Sequence, residues 1–449
     1  MAIEDALAPW LGGQRWFAGK GMGPRDLAIV ADTQLVTGDP ELRHLIVAVS
    51  HGTTVDYYQI LVGLRRKLPA RLMHVRIGPV GDGTGGGRIA YDALHDADLT
   101  KPLLAAIASN ANLGTVQMRK VEGAEFETGL DSLVLTGEQT NTSLVFGEES
   151  ILKVFRRLAP GPNPDLEVTT ALASLGSPQV AEPLGWMETR LEGVSTHLAF
   201  LSRFLRHATD GWSLAATSVR DLYASTDRCA AHAGGDFSGE ARRLGAATAQ
   251  VHADLAAAFG TDELPAEALG ELTERMFRKL DLAVAAVPEL GKQADMISEA
   301  YAALAKLRGP FPVQRVHGDY HLGQVLRTET GWVVLDFEGE PATPLAQRRA
   351  RASALRDVAG MLRSFEYAAR HQLIGHPDHV TLSDAARDWV RRNAAAFCAG
   401  YAEAGGLDPA ANQVLLTALQ LDKAVYEVLY EARHRPSWLS IPLDSLAEF

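Results

Sequence analysis

Residues 315–324 read RVHGDYHLGQ, and residues 332–338, a short distance further on, read WVVLDFE. Asp319 follows the HG pair in a polar stretch typical of a turn, and Asp336 closes an apolar run typical of a strand. Gln324 lies five positions after Asp319, and Asp336 lies 17 positions after it. Each piece alone is common at ordinary turns and strand ends, so the information is in their combination.

This combination predicts phosphoryl transfer of the kinase type. Kinases use one aspartate to orient the attacking hydroxyl, an amide oxygen five positions later on Mg²⁺, and a second, strand-borne aspartate on the same metal ions. By that pattern Asp319 is the candidate catalytic base, and Gln324 and Asp336 are candidate magnesium ligands. Glu338, two positions after Asp336, is a third candidate ligand. The predicted cofactors are therefore ATP and Mg²⁺.

Composition limits the possible partners. The chain has 449 residues, 47% hydrophobic and 22% charged, which is typical of a globular protein of roughly two or three domains. A net charge of -12 argues against nucleic acid or an anionic membrane as a partner, because both attract a basic surface. Two cysteines, Cys229 and Cys398, are too few for a disulfide framework or a cysteine zinc site.

The beginning of the sequence lacks the pattern of a signal peptide, and no apolar window is long enough for a membrane span. We therefore expect a cytoplasmic protein. Its oligomeric state, monomer or homodimer, stays open at this point.

The order of apolar patterns predicts an α+β protein with a eukaryotic-protein-kinase-like bilobal fold. Residues 1–90 contain short alternating runs separated by turns, and we expect them to form a β-rich cap subdomain. Residues 91–203 are expected to form the β-rich N-lobe, with helical periodicity from 89 to about 118 at its start. Residues 204–449 carry helical patterns almost throughout and are expected to form the α-helical C-lobe. This lobe would carry the catalytic loop, the segment 315–324 that contains Asp319.

The N-lobe contains candidates for nucleotide binding. Lys153 lies in the middle of an apolar strand, where an ammonium needs an anion beside it, and kinases place their phosphate-contacting lysine on such a strand. Glu167, in the first turn of the next helix, is its candidate ion-pair partner, although a first-turn glutamate also suits the helix dipole alone. The other candidates are three residues of a lid hairpin and one hinge residue beside the adenine: Gly137, Gln139, Thr140 and Phe204.

The last long helical pattern, residues 413–435, is the candidate acceptor site. Its tyrosines and acids recur at helical spacing, and sugars bind through aromatic faces and through carboxylates that accept hydroxyl hydrogen bonds. Exposed acids on a helix are otherwise usually solvent-facing, and that alternative stays open. The candidate substrate contacts, one of them in the catalytic loop, are His321, Gln420, Asp422, Tyr426, Glu427, Tyr430 and Glu431. Asp357, near the start of an earlier helix, is expected to cap that helix and brace the catalytic loop.

At HGDYHLGQVL, LDFEGEP, LRDVAGMLRSFEYAAR and LDKAVYEVLYEARHRPSW the sequence resembles the maltokinase-like sugar kinases, bacterial enzymes with an aminoglycoside-phosphotransferase-like fold. The resemblance extends over nearly the whole chain, including the WFAGKG segment of an N-terminal cap. It implies that Asp319 is the catalytic base, that Gln324 and Asp336 bind Mg²⁺, and that Lys153 contacts the phosphates. The group includes maltose kinases, which make maltose 1-phosphate, and similar glucosamine kinases, which phosphorylate the 6-hydroxyl.

Two positions favour glucosamine over maltose. Tyr320 and Gln420 depart from the maltokinase pattern, in which a leucine and a glutamate are expected. A pocket dense in carboxylates also suits a cationic amino sugar, and the candidates to line one are Asp319, Glu338, Glu340, Asp422, Glu427 and Glu431. Kinases of neutral sugars use carboxylates too, so the maltokinase alternative stays open. So do an acceptor such as an aminoglycoside or choline, and a non-catalytic kinase-fold binding protein.

Overall fold

The computed structural model describes residues 2–18, 26–51, 54–81, 87–135, 140–233, 235–340 and 343–449. The chain forms two compact units. The first consists of Met1–Thr170 and Ala181–Arg206, and the second of Ala171–Val180 and His207–Phe449. Two candidate nucleotide residues, Gly137 and Gln139, lie outside the described residues.

The first unit is rich in strands. In chain order they are β1 (Asp26–Val36), β2 (Glu41–His51), β3 (Thr54–Arg65), β4 (Arg76–Gly81), β5 (Gly87–Asp92), β6 (Asn112–Leu113), β7 (Val116–Lys120), β8 (Ser132–Val134), β9 (Thr142–Phe146), β10 (Ser150–Val154), β11 (Arg157–Leu158), β12 (Pro183–Leu191) and β13 (Val194–Arg203). The helices are α1 (Ile3–Gly12), α2 (Ala97–Ala108) and α3 (Pro164–Ser174), the last of which continues past Thr170.

These strands form two antiparallel sheets. One has the order β1-β2-β3-β5-β4 with β11 beside β3, and the other has the order β6-β7-β12-β13-β10-β9-β8. Both faces of the first sheet are covered by other elements, and strand β2 accordingly has apolar side chains on both of its faces. Leu45, Val47 and Val49 pack in one core with α1, whereas Leu42 and Ile46 belong to a second core that includes α2 and the second sheet.

The register of the second sheet fixes the position of Lys153. Strand β10 lies between β9 and β13, and Lys153 is opposite Ser143 and Phe200. Its neighbours Leu152 and Val154 are buried in the core, so the alternating side chain of Lys153 lies on the other face of the sheet. That side chain is only 14% exposed, which requires a negative partner.

The second unit is mainly helical. Its helices are α4 (Gly211–Ala224), α5 (Ser238–Phe259), α6 (Ala266–Ala286), α7 (Ala294–Ala305), α8 (Leu345–Arg348), α9 (Leu355–Arg370), α10 (His379–Glu403), α11 (Gln413–His434) and α12 (Ser440–Leu446). Its strands are β14 (Thr209–Asp210), β15 (Thr261–Leu264), β16 (Phe311–Gln314), β17 (Val325–Arg327) and β18 (Trp332–Val334). They form a sheet in the order β14-β17-β18 and a separate pair, β15-β16.

Helix α9 lies at the centre of the second unit. Most of its residues are buried, and it packs against α10, α11 and α4. Gly360 allows it to approach the catalytic loop, because a β-carbon there would lie 2.6 Å from the carbonyl oxygen of Tyr320. The β17-β18 hairpin ends two residues before Asp336. The candidate catalytic and metal residues therefore lie next to elements of the buried core.

The helix predicted at 413–435 is confirmed within one residue, since α11 ends at His434. The helix predicted from 89 to about 118 is wrong at both ends, because β5 continues to Asp92 and α2 ends at Ala108. Asp96 starts α2 by accepting a hydrogen bond from the N–H of Asp98 (3.4 Å). The domain boundaries at 90 and 203 stay predictions.

One further fold property concerns membranes. None of the helices in the part of the chain that the structure describes combines the length and the apolar content that crossing a lipid bilayer requires. Both cysteines are free and partly buried, as expected of a fold that does not depend on disulfides.

Candidate active site

Asp357, in the first turn of α9, holds the catalytic loop in place. Its buried carboxylate accepts hydrogen bonds from the backbone N–H groups of His317 (2.7 Å) and Gly318 (2.9 Å). Gly318 has a φ of +86°, a left-handed conformation that favours glycine. Burial opposes ionisation of Asp357, but the hydrogen bond and charge of His252 outweigh it, and the pKa of Asp357 is lowered. The predicted brace is confirmed, whereas the predicted helix cap is wrong, because the carboxylate is used by the loop and α9 begins after Ala354.

Helix α5 supports the same loop through buried contacts. His252 Nε2 lies 3.0 Å from the braced carboxylate, and its Nδ1 lies 2.8 Å from the hydroxyl of Tyr401. Thr248 Oγ1 lies 2.8 Å from the hydroxyl of Tyr320. The residues on both sides of Asp319 are thereby tied to the helical core, while Asp319 itself keeps a side chain that is 25% exposed.

The candidate metal ligands Gln324 and Asp336 are brought together. The Gln324 side-chain amide donates to Asp336 Oδ2 (3.1 Å), and the Leu335 N–H donates to the Gln324 carbonyl (2.9 Å). Asp336 has a φ of +62°, which is uncommon outside glycine and is typical of functional sites. The backbone carbonyl of Glu338 accepts a hydrogen bond from Arg348 (3.1 Å). An amide and two carboxylates supply the oxygen ligands that Mg²⁺ prefers, so these residues fit the predicted ion.

The carboxylate of Asp319 has a lysine beside it. Lys423 Nζ lies 3.4 Å from Asp319 Oδ1 and 2.7 Å from Glu340 Oε1, and 5.0 Å from the ring centre of Tyr426. Burial disfavours the ammonium, but the two carboxylates outweigh burial and raise the pKa of Lys423. Sequence reasoning missed this residue, because a lysine on a helix is usually solvent-facing. Its position beside Asp422 and three before Tyr426, both candidates already, was the available signal.

His321 lies close to the same charges. Its Nδ1 accepts a hydrogen bond from the Gly323 N–H (3.0 Å), which leaves Nε2 as the protonated nitrogen of the neutral ring. Burial lowers the pKa of His321, and the nearby charges of Asp319 and Asp336 oppose that effect. The imidazole is therefore a neutral hydrogen-bond donor beside the candidate catalytic base, a position compatible with its predicted role as a substrate contact.

The candidate residues of α11 do not share one environment. Asp422 is bound by Lys279 of α6, whose Nζ lies 2.9 Å and 2.8 Å from the two carboxylate oxygens. Tyr426 and Tyr430 are stacked with ring centres 6.1 Å apart, and Tyr430 is exposed. Gln420 is half-buried on the same helix. Lys279 carried no recognisable signal in the sequence.

Two acids of α11 serve contacts inside the helical unit. Glu427 is buried, and its Oε2 accepts hydrogen bonds from Arg363 Nε (3.0 Å) and Nη2 (2.7 Å). Burial raises the pKa of Glu427, and Arg363 opposes this. Glu431 accepts from the Tyr367 hydroxyl (3.1 Å) and from Arg435 (2.7 Å). Both carboxylates are thus occupied by neighbours, and direct contact of either with a sugar stays a prediction.

A cavity of about 760 Å³ opens beside the catalytic loop. Gly318 and Tyr320 of the loop and Glu340 form one part of its wall, and Asp422, Lys423 and Tyr426 of α11 form another. Two of the candidate substrate residues, Asp422 and Tyr426, line this cavity. The other candidates are not part of its wall: His321, Gln420, Glu427, Tyr430 and Glu431. The cavity therefore joins the neighbours of Asp319 to the acceptor helix.

In the first unit, Lys153 Nζ lies 2.9 Å from Asp165 Oδ2, at the start of α3. The kinase-type lysine thus has an acidic partner there, two residues before the predicted partner Glu167. Glu167 donates its backbone N–H to the Asn163 carbonyl (3.0 Å), and its pairing with Lys153 stays a prediction. Thr140, another nucleotide candidate, is exposed just before β9. The hinge candidate Phe204 is half-buried and donates its N–H to the Glu149 carbonyl (3.0 Å).

Comparison with known proteins agrees with this geometry. Residues 10–96 match the maltokinase N-terminal cap domain, and residues 139–411 match the phosphotransferase enzyme family. The glucosamine kinase of Streptacidiphilus jiangxiensis is 32% identical over 446 residues, covering 94% of this chain and 97% of that protein. The glucosamine kinase of Mycolicibacterium smegmatis (strain ATCC 700084 / mc(2)155) is 30% identical over 317 residues, covering 69% and 77%.

Solved structures give the same result. A glucosamine kinase in complex with glucosamine, ADP and inorganic phosphate matches with a TM-score of 0.69 and 27% identity, covering 99% of this chain and 98% of that chain. A second crystal form of a glucosamine kinase matches with a TM-score of 0.71 and 26% identity, with the same coverage. The predicted α+β kinase-like fold class with a β-rich N-terminal cap is confirmed. The chain belongs to the phosphotransferase enzyme family, and within it to the maltokinase-like sugar kinases that include the glucosamine kinases.

Proposed function

We propose that this protein is an ATP-dependent glucosamine kinase that transfers the γ-phosphate to the 6-hydroxyl of glucosamine. The observation that carries the proposal is the cavity in which Asp422, Glu340 and Lys423 lie beside the catalytic loop. A relative identical at 32% of positions over almost the whole chain carries the name glucosamine kinase, and a similar solved structure holds glucosamine and ADP. These two findings support the choice of sugar.

Asp319 accepts the hydrogen bond of the attacking hydroxyl in this proposal and so orients it toward the phosphorus. Positioning and charge neutralisation supply most of the rate enhancement in such reactions, and little covalent chemistry is required of the protein. Lys423 is the shared counter-ion of Asp319 and Glu340. Lys153 is the residue that would contact the phosphates, as the kinase pattern implies.

Magnesium is part of the proposal. Gln324, Asp336 and Glu338 would hold it, and the ion would neutralise the charge of the phosphates when bound. The hydrogen bond from the Gln324 amide to Asp336 Oδ2 holds the two side chains together before any ligand arrives. Such preorganisation limits the reorganisation required during the reaction.

Asp422 recognises the amino group of the sugar in this proposal. An ammonium gains more from a carboxylate than a neutral hydroxyl does, because a charge-assisted hydrogen bond is roughly twice as strong as a neutral one. Lys279 now occupies both oxygens of that carboxylate. The incoming ammonium would therefore exchange with an ammonium of the protein, which preserves the local charge balance.

Maltose is the second candidate acceptor, and one observation favours it. The N-terminal residues match the cap domain named after maltokinases. A cavity of about 760 Å³ also has room for a disaccharide. Maltose carries no charge, however, so the Asp422 carboxylate would exchange a charged partner for a neutral one.

An acceptor panel tests the proposal. The pure protein is incubated with Mg²⁺-ATP and separately with glucosamine, glucose, maltose and an aminoglycoside, and ADP release and product mass are measured. Turnover of glucosamine with a 6-phosphorylated product is expected. Turnover of maltose alone would make the enzyme a maltokinase, and turnover of no acceptor would favour a kinase-fold binding protein.

The panel also tests the metal. Omission of Mg²⁺ or addition of excess EDTA is expected to abolish ADP release, and activity that persists would remove the metal role of Gln324 and Asp336. A cytoplasmic location and a monomeric or homodimeric state remain predictions beside this proposal.

A further inference from the structure

The cavity beside the catalytic loop is much larger than one amino sugar. At about 760 Å³ it lies within the range of pockets that bury whole drug-sized ligands. A single hexosamine at the charged end would leave much of it filled with water. We infer that the acceptor site continues into an apolar subsite, and that this subsite takes an apolar substituent carried by the amino sugar. The inference rests on the proposed function.

The wall changes character along α11. Asp422, Lys423 and Tyr426 line the charged end, and Leu419 and Leu415 line the cavity further toward the start of the helix. Leu415 precedes Lys423 by eight positions, which corresponds to about 12 Å along the helix axis. This length exceeds one pyranose ring, so a sugar bound at Asp422 leaves the Leu415 end of the cavity uncovered.

Helix α6 and strand β16 form the facing wall. Leu269 and Met276 are buried and Leu272 is half-buried, at a spacing that places all three on one helix face. Phe311 and Val313 of β16 extend this apolar surface. The charged side chains at this part of the lining, Glu271, Arg275 and Arg351, are exposed, and Arg351 is paired with Asp262 of β15.

This chemistry favours an apolar occupant over a second sugar. The hydroxyls of a second ring would lose their water and find few partners among leucine, methionine and phenylalanine side chains, and an unpaired buried hydroxyl is unfavourable. An alkyl or aryl group gains free energy from the same surface in proportion to the apolar area that it buries. The acceptor class is therefore an amino sugar with an apolar group attached.

Alkyl glucosaminides test the inference. The methyl and butyl 2-amino-2-deoxyglucosides, as both anomers, and the N-methyl and N-butyl glucosamines are compared by calorimetric dissociation constant and by kcat/KM with Mg²⁺-ATP. Each fully buried methylene improves affinity roughly fourfold. Butyl has three more methylenes than methyl, so the butyl member of at least one series is expected to bind at least about tenfold more tightly than its methyl partner, and up to about 60-fold if all three are fully buried.

Two variants locate the effect. Ala268→Trp fills the apolar end from α6, and Leu419→Asn makes the α11 wall polar; both are expected to remove the butyl advantage, measured as the ratio of butyl to methyl dissociation constants within each variant. Leu282→Trp adds the same bulk to an α6 position whose side chain is 66% exposed and is expected to keep the advantage. Circular dichroism checks that each variant is folded.

The outcomes separate the two proposals. Glucosamine turnover without a butyl advantage in either series overturns the apolar subsite and leaves the kinase assignment intact. A butyl advantage that survives both Ala268→Trp and Leu419→Asn also overturns the assigned location. Absence of glucosamine turnover, with the calorimetric preference for butyl still present, contradicts the proposed function alone.

Discussion

The ammonium of Lys423 lies 3.4 Å from the carboxylate of Asp319, the residue that we propose as catalytic base. A helix far along the chain thus supplies the counter-ion of the catalytic loop. The same ammonium lies 2.7 Å from Glu340, so two acids that would otherwise repel each other share one positive charge.

Lys423→Met is expected to lower kcat for glucosamine by about 10² to 10³, the usual effect of removing one preorganised electrostatic partner. Lys423→Arg keeps the charge and is expected to recover part of kcat. Lys306→Met, at an exposed position, is the control, and an unchanged kcat in Lys423→Met would contradict the counter-ion role.

Asp319→Asn is expected to keep nucleotide binding and to lose turnover by about 10³ or more, since the amide cannot accept the hydroxyl proton. Steady-state ADP release and calorimetric ADP binding measure the two properties separately. Asp384→Asn, at a position whose side chain is 84% exposed, serves as control. Turnover of Asp319→Asn close to wild type would remove the catalytic assignment.

Asp422→Asn is expected to raise KM for glucosamine about tenfold or more while KM for glucose changes little, because only the amino sugar loses a charge-assisted contact. Lys279→Met is expected to act in the opposite direction. It removes the ammonium that now occupies Asp422, so KM for glucosamine should fall. Equal changes for both sugars in Asp422→Asn would show that this carboxylate does not read the amine.

Asp357→Ala is expected to lower the free energy of unfolding by about 3 kcal/mol or more, because two buried backbone N–H groups and His252 lose their shared acceptor. Urea unfolding measures the loss. Asp357→Asn retains one oxygen acceptor and should be intermediate, and Asp384→Asn should change stability by less than about 0.5 kcal/mol. A loss below about 1 kcal/mol for Asp357→Ala would contradict the brace.

His44 predicts an acid-dependent loss of stability. Burial lowers its pKa to about 4, and its Nε2 lies 3.0 Å from Gln59 Oε1. The unfolded chain binds this proton near pH 6.5. The contribution of the neutral His44 side chain to the free energy of unfolding is therefore complete above about pH 6.5 and decreases as the pH falls toward 4. The shift corresponds to about 3 kcal/mol.

The experiment compares urea unfolding of wild type and His44→Gln between about pH 7 and pH 4. Glutamine still donates to Gln59 but does not titrate, so the stability difference between the two proteins should shrink or reverse as the pH falls. His232→Gln, at a position whose side chain is 74% exposed, should parallel the wild type. Parallel curves for wild type and His44→Gln would rule out His44 as the titrating group.

The features of the site that depend on local spacing could be predicted from the sequence. The loop around Asp319, the strand before Asp336 and the helix carrying Asp422 each have a pattern of a few residues, and each lies where that pattern predicts. Lys279 could not be found in this way, because its partner Asp422 is more than a hundred positions away and only packing brings them together. Glu427 has the spacing of a sugar contact, but Arg363 of another helix takes up its carboxylate.

The buried pair of Arg363 and Glu427 also bears on how such sequences are compared. An acid held inside the helical unit records how α9 and α11 fit together, and it would be retained by a relative that phosphorylates a different sugar. Sequence identity at Glu427 therefore reflects a shared fold. Differences at Asp422 and at the apolar positions Leu415 and Leu419 would instead indicate a change of acceptor.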